Sequence, residues 1–333
     1  MEDRFGHRIS YLRVSITDRC NERCTYCMPQ ELQEWLPREG ILSFEETLRL
    51  VGIAAGLGVK KVRVTGGEPL TRRGVLQFVQ ALSQIGGLDD IGISTNGTLL
   101  ARDVSPGKPM AAALREARVR TVNISLDTLD REDYHAITGR DYLNEVLRGI
   151  DAAIEAGFEL IKLNCVLVRG RAEEQLAPLI DFAAERGLLL RFIELMPVST
   201  TDVLSDANFL PIRAAQRQIE ARYGSLIPEP QFRTNGPASY YQLPGRMQRI
   251  GFIGAMTNLH FCESCNKLRL TCDGKLRPCL GSYLEFDIMK VMRAGASDAD
   301  LERFFLDVVE RKPQQHDFRE NYIPGRKMVA IGG

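Results

Sequence analysis

The chain has 333 residues, 44% hydrophobic and 26% charged, and its 43 basic side chains balance 43 acidic ones. That length suggests about two domains and ample buried core. Zero net charge argues against a general polyanion binder, so no nucleic-acid partner is expected, though a local phosphate site is allowed.

Disorder and a coiled coil both fit the composition poorly. No apolar run approaches the roughly 20 residues of a membrane helix, so no membrane partner is expected. The Met-Glu-Asp-Arg start has no signal-peptide core. A cytoplasmic location is therefore expected, with the eight cysteines reduced. Cysteine clusters in such a compartment suggest metal or redox chemistry before disulfides.

Residues 11–17 read as the first strand. Ser43 and Glu46 then form a capping box, and Phe44, Leu48, Val51 and Ala55 recur at helical spacing until Gly56 and Gly58. Further strands are expected at 61–65, 91–95, 120–126, 160–168 and 188–195, with helical patterns between them. Six such units imply a parallel sheet, either doubly wound or part of a (β/α) barrel. After Pro197 the rhythm changes. A loop at 198–207 precedes a helix near 212–223, and a Pro/Gly-punctuated stretch covers 228–254. Residues 269–272 and 275–277 read as a hairpin around a two-residue Asp273-Gly274 turn. Helices near 286–294 and 298–311 follow. The domain boundary is placed near residue 222, giving a core domain at 1–222 and a smaller α+β domain at 223–333.

Strand parity is informative. Arg13, Ser15 and Thr17 share a face opposite Leu12, Val14 and Ile16. Lys61, Arg63 and Thr65 oppose Val62 and Val64, and Ser94 shares a face with Asn96. Asn123, Ser125 and Asp127 oppose Val122, Ile124 and Leu126, while Lys162 and Asn164 oppose Ile161, Leu163 and Cys165. Parallel strands covered on both faces are normally apolar throughout, and a closed eight-stranded barrel fills its lumen with branched apolar side chains. Six strands with a polar face predict an incomplete (β/α)6 TIM-like barrel whose lumen holds a polar, anionic ligand. In the last strand Arg191 has opposite parity to Glu194 and Met196, which implies a strand end or bulge.

Directly after the first strand come Cys20, Cys24 and Cys27, spaced C-x3-C-x2-C. Three cysteines on a short loop can hold three corners of a cubane cluster and leave its fourth iron open, whereas a structural zinc site wants a fourth ligand. Thr65-Gly66-Gly67-Glu68-Pro69 ends the second strand, and a second trio, Cys262, Cys265 and Cys279, lies far downstream. The first cysteine motif, with Tyr26 before its last cysteine, and the GGEP element resemble the radical S-adenosylmethionine (SAM) superfamily. YLRVSITDRCNERCTYCMP, TGGEPLTRR, RFIELMPV, FCESCNKLRLTCDGKLRPCL and the Gly-Gly end extend the resemblance over nearly the whole chain. Within that superfamily they resemble the GTP 3′,8-cyclases of molybdenum cofactor biosynthesis.

The resemblance implies two [4Fe-4S] clusters, one on Cys20, Cys24 and Cys27 that binds SAM, the other on Cys262, Cys265 and Cys279 that meets the guanine of GTP. It assigns Tyr26, Gly67, Glu68, Ser125 and Met196 to SAM. It assigns Arg13, Lys61, Arg63, Ser94, Lys162, Arg191, Lys267, Leu268 and Arg269 to GTP, with Arg13, Lys267, Arg269, Gly332 and Gly333 taking part in catalysis. It also implies an electron donor, a homodimer, and a downstream cyclic pyranopterin monophosphate synthase. The implied chemistry is reductive cleavage of SAM, removal of the C3′ hydrogen of GTP by the 5′-deoxyadenosyl radical, and closure of a C3′–C8 bond.

Lys267 stands where that family more often has Arg. Cys272 is an extra cysteine whose parity points away from Lys267 and Arg269, as a buried non-ligand would, and Cys165 reads the same way. Arg72 and Arg73 suit either nucleotide steering or a solvated helix start. Trp35 reads as loop packing, and none of the four histidines receives a role. Two alternatives are a peptide-modifying radical SAM enzyme with an auxiliary cluster and a binding protein with two zinc knuckles.

Overall fold

The computed structural model describes residues 1–28, 34–199, 204–234, 236–320 and 322–332. Six strands, β1 (Tyr11–Ser15), β2 (Lys61–Thr65), β3 (Asp90–Thr95), β4 (Thr121–Ser125), β5 (Leu160–Leu167) and β6 (Leu189–Glu194), follow one another in space as in sequence. Every neighbouring pair among them is parallel. This order excludes a doubly wound sheet, whose strand order reverses at a switch point. It is an incomplete (β/α)6 barrel.

The crossovers carry α1 (Phe44–Gly56), α2 (Val75–Leu82), α3 (Met110–Glu116), α4 (Arg131–Thr138), α5 (Leu143–Glu155) and α6 (Ala172–Glu185). α1 starts at the expected capping box, with Ser43 and Glu46 bonding each other's backbone N–H. Its buried stripe is rotated from expectation. Leu50, Val51 and Ala54 are fully buried, while Phe44 and Leu48 pack at the margin, where Phe44 stacks on Phe78 of α2 at 4.7 Å. The helices cover the apolar strand face of Leu12, Val14, Val62, Val64, Ile93, Val122, Ile124 and Leu163. Each such buried side chain contributes about 1.5–3 kcal/mol.

The last third of the chain flanks the barrel on both sides. α7 (Ile212–Tyr223) precedes β7 (Ile227–Pro228), β8 (Ser239–Gln242) and β9 (Arg249–Ile253). β9 pairs with β6 in parallel, so the alternating strand pattern lapses but the parallel sheet does not. β10 (Lys267–Leu270) then pairs in parallel with β1, on the opposite edge. β11 (Lys275–Arg277) and β12 (Phe286–Asp287) complete a 12-stranded sheet of order β12-β11-β10-β1-β2-β3-β4-β5-β6-β9-β8-β7. Residue 222 lies in the last turn of α7, and the sheet runs past it. α8 (Ile288–Arg293), α9 (Asp298–Glu310) and the short α10 (Met328–Ile331) close the described chain.

The β10–β11 hairpin corrects the expected two-residue turn. Thr271 and Lys275 still pair through their backbones, so the loop is Cys272-Asp273-Gly274, with Gly274 at φ +70°. A left-handed third position is what a three-residue hairpin loop requires, and glycine supplies it without strain. Among the described residues no helix is long and apolar enough to cross a membrane.

Candidate active site

The register builds the lumen in layers. Arg269, Arg13 and Arg63 are aligned neighbours across β10, β1 and β2, and Gly92 of β3 is next in the row. A Cβ on Gly92 would stand 2.5 Å from the Arg63 guanidinium carbon. The glycine therefore lets Arg63 reach over β3. There its guanidinium donates to Ile93 O at 3.0 Å, Thr121 O at 3.1 Å and Thr121 Oγ1 at 2.8 Å, while Nε donates to Tyr11 Oη at 3.1 Å. Four of the five N–H groups of an arginine are thereby committed. Arg63 braces four strands as well as lining the lumen.

One cavity of about 370 Å³ runs through this lumen, and both cysteine trios line it. Cys20, Cys24 and Cys27 follow the C-terminal end of β1, whereas Cys262 and Cys265 precede β10, whose Lys267 is aligned with Tyr11 at the start of β1. The trios thus sit beyond opposite ends of five-residue β1, where each residue rises about 3.3 Å.

The first cysteine loop is clamped from several sides. Arg23 N–H donates to Thr138 O at 2.7 Å and Thr25 N–H to Ile137 O at 2.9 Å, both at the end of α4. Tyr134 of α4 hydrogen-bonds Glu22, and Ser199 Oγ donates to Cys27 O at 2.5 Å. Burial, with Glu22 adding to it, pushes the Cys27 thiol up to about 12. Cys20 and Cys24 rise too, through burial and then the nearby Glu68 and Glu22 carboxylates. Buried thiols among acids ionise against a bound cation, which an iron–sulfur cluster supplies. Among the described residues no group of three His, Cys, Asp or Glu is arranged around a single metal ion.

The GGEP element packs directly on this loop. Gly67 N–H donates to Thr17 O and Glu68 N–H to Arg19 O, each at 2.8 Å. A Cβ at Gly67 would fall 2.2 Å from Arg19 O and 2.8 Å from Val329 Cγ2, so this position admits glycine alone. Glu68 accepts from Leu70 N–H, Thr95 Oγ1 and Asn96 N–H at 3.0, 2.8 and 2.7 Å. A carboxylate has about four acceptor sites, so one remains for a ligand cation. Burial pushes Glu68 up to about 7 against those three donors. Tyr26 Oη donates to Asp127 Oδ2 at 2.6 Å, and Asp127 Oδ1 takes Val166 N–H at 2.7 Å. Ser125 and Met196 also line this end, Met196 lying beyond the end of β6. Glu194, with the opposite parity to Arg191, caps the N-terminus of α7 and binds the backbone N–H groups of Met256 and Thr257.

Cations dominate from the middle of the lumen to its other end. Burial, then Arg191 and Arg63, pushes Lys162 down to about 7. Burial and Arg13 bring Arg269 down to about 9. Burial raises the Tyr11 phenol, but Arg63 and Arg13 outweigh it and bring it down to about 8. Arg191 is fixed by Asn164 Oδ1 at 2.9 and 2.6 Å. Buried like charges repel; a polyanion placed among them relieves that repulsion. The second trio has a water-excluding wall of Phe261, His316 and Phe318. Cys279 is pushed up to about 11 by burial, whereas Cys265 falls below the ordinary thiol value because Lys312 and Lys267 outweigh its burial.

The structure thus gathers Arg13, Arg63, Ser94, Lys162, Arg191, Lys267 and Arg269 around one space. Lys61 and Leu268 stand apart. Lys61 lies at the start of β2 outside the cavity wall, and the Leu268 side chain is buried in the core, as its parity requires. Gly332 reaches the site through Arg269, whose guanidinium donates to Gly332 O at 2.8 Å, while Gly333 lies outside the described residues. Cys272 and Cys165 are buried and line no part of the cavity. Arg72 is structural: it packs over Phe44 at 4.1 Å and donates to the Ile16 and Leu42 carbonyls. Trp35 packs under Arg23 at 5.1 Å. Parity alone puts Asp127 and Asn164 on the polar strand faces, without a role; sequence reasoning missed Tyr11, which shares that parity, and Glu22, Lys312 and His316, which no local pattern marks.

A family model described as Radical SAM superfamily matches residues 14–183, and one described as Molybdenum Cofactor Synthesis C matches 188–318. Curated relatives named GTP 3′,8-cyclase include those of Pelotomaculum thermopropionicum, 41% identical, and Moorella thermoacetica, 43% identical, each alignment covering 100% of both chains. The chain belongs to the GTP 3′,8-cyclase family of radical SAM proteins. Radical SAM proteins use a [4Fe-4S] cluster and SAM, and this family has an additional C-terminal cluster. Among solved structures, Streptococcus suis SuiB bound to precursor peptide SuiA gives a TM-score of 0.62 at 16% identity, covering 96% of this chain and 67% of that one. Native anSMEcpe with bound AdoMet gives 0.59 at 14%, covering 94% and 83%. At these identities the likeness is one of fold, so it lends the peptide-modifying alternative no weight.

Proposed function

We propose that the chain converts GTP to 3′,8-cyclo-7,8-dihydro-GTP, an early step in molybdenum cofactor biosynthesis. One observation carries the reading: a single cavity holds an acid-lined cysteine trio at one end, a cysteine trio at the other, and buried cations between. Cys20, Cys24 and Cys27 would hold the cluster that, with SAM, would supply the radical chemistry for removing the C3′ hydrogen of GTP; closing the C3′–C8 bond would then need one electron from the donor and a proton. The remaining acceptor site of Glu68 takes the methionine ammonium. Tyr26, fixed by Asp127, and Ser125 and Met196 shape the rest of the SAM site. Arg13, Lys162, Arg191 and Arg269 hold the triphosphate through charge-assisted contacts, where arginine binds phosphate bidentately. Lys267 supplies a point charge beside the second trio, which faces the guanine. Gly332, held by Arg269 and set against Ser15 and Thr65 at the C-terminal ends of β1 and β2, brings the C-terminal tail to the lumen.

The protein works, in this reading, as a cytoplasmic homodimer fed by a one-electron donor, and passes its product to cyclic pyranopterin monophosphate synthase. The test is anaerobic turnover after reconstitution with iron and sulfide, with SAM, dithionite and GTP, ATP or no nucleotide. Joint appearance of 5′-deoxyadenosine and a rearranged GTP isomer with GTP alone supports the reading. Deoxyadenosine formed regardless of nucleotide, without an isomer, overturns the substrate.

A further inference from the structure

Lys312 lies two residues beyond α9 and is 2% exposed. Its ammonium donates to Pro278 O and, at 3.4 Å, to Lys267 O. Pro278 immediately precedes Cys279, and Lys267 is two residues after Cys265. The positive charge of Lys312 also acts electrostatically on Cys262, Cys265 and Cys279. Lys312 is absent from the cavity wall, so it stands behind the trio rather than facing a nucleotide. Burying an ammonium is costly unless it is both hydrogen-bonded and compensated. The two carbonyls satisfy N–H groups without neutralising the charge. Thiolates of the trio holding a cluster would neutralise it. At the first trio Glu22, Glu68 and Asp127 crowd the thiols, and the cation on that loop, Arg23, donates to the Cys20 and Glu22 carbonyls at 2.7 and 2.8 Å.

We propose that Lys312 is a positioning residue of the second cluster site: it compensates the thiolate charge there and holds that cluster at a higher reduction potential than the same protein without the lysine. A fixed positive charge behind a cluster stabilises its reduced, more negative form, and net charge and hydrogen bonds to sulfur are recognised determinants of cluster potential. The inference rests on the second trio holding a cluster.

The experiment is a potentiometric titration of both clusters, followed by electron paramagnetic resonance with iron and sulfide content, on reconstituted wild type and on Lys312→Met, Lys312→Gln and Lys312→Arg. Gln keeps donors for the carbonyls but removes the charge. The second cluster is expected to become harder to reduce in the Met and Gln variants by at least about tenfold in its redox equilibrium, about 59 mV for one electron. The first cluster stays unmoved, and Arg restores most of the shift. Loss of the second cluster in Met and Gln with retention in Arg also supports the charge role. An unchanged potential in Met and Gln at full iron content overturns it, as does equal cluster loss in all three variants. A wild-type chain that reconstitutes only one cluster contradicts the two-cluster reading itself.

Discussion

The two ends of the cavity present the same ligand set, three cysteines, in opposite electrostatic surroundings. At the first, Glu22, Glu68 and Asp127 are buried around the thiols, and Cys27 is pushed up to about 12. At the second, Lys267 and Lys312 pull Cys265 below its ordinary value despite burial. The difference matches the ligands proposed for each end. A cationic sulfonium and ammonium fit an acidic pocket, and a triphosphate with an electron-rich base fits a basic one. Backbone direction separates the two, since one trio follows β1, whereas Cys262 and Cys265 precede the parallel β10 beside it and Cys279 follows the antiparallel β11.

Cysteine removal gives the largest effects. Cys24→Ala is expected to abolish SAM cleavage, whereas Cys279→Ala keeps the first cluster and its deoxyadenosine formation but loses the GTP isomer. Iron content with product analysis checks both, and equal loss of deoxyadenosine in both variants breaks the division of labour. Next come the charges. Glu68→Gln should weaken SAM binding, and Arg269→Ala GTP binding, each by roughly 10- to 100-fold, the worth of a charge-assisted hydrogen bond of about 1.5–3 kcal/mol. Each variant should leave the other ligand's affinity nearly unchanged, as calorimetry would show.

Lys162 sharpens the basic end through pH. Burial, then Arg191 and Arg63, brings its ordinary value of 10.5 down to about 7, so it is neutral above pH 7 and takes up a proton as a bound triphosphate restores its charge. GTP affinity should therefore fall as pH rises from 7 toward 9, by up to about tenfold per unit. Lys162→Met should bind weakly with that component of the pH dependence gone. The smallest effect belongs to Cys272→Ala, with about 1 kcal/mol of lost stability and unchanged iron content. Loss of iron would make Cys272 a ligand and break the three-against-three comparison.

Much of this was legible because strands advertise their faces. Arg13, Arg63 and Lys162 alternate with apolar neighbours, so their convergence follows from parity alone. Leu268 obeys the same parity, and its side chain points into the core rather than the lumen. The bracing function of Arg63 was hidden because it depends on Gly92, a residue on a different strand brought level by register. The hairpin loop came out one residue longer because Cys272 belongs to the turn. Lys312 and His316 were invisible since they act across a fold that returns the chain end to Cys262–Cys279, and no spacing rule encodes that return.

The most direct test of the account is a single turnover with GTP deuterated at C3′, with 2′-deuterated GTP as the control. The account predicts deuterium in 5′-deoxyadenosine from the 3′-labelled substrate and none from the control, because the second trio holds the base so that C3′ faces the first. Deoxyadenosine free of deuterium, or labelled from C2′, would contradict it.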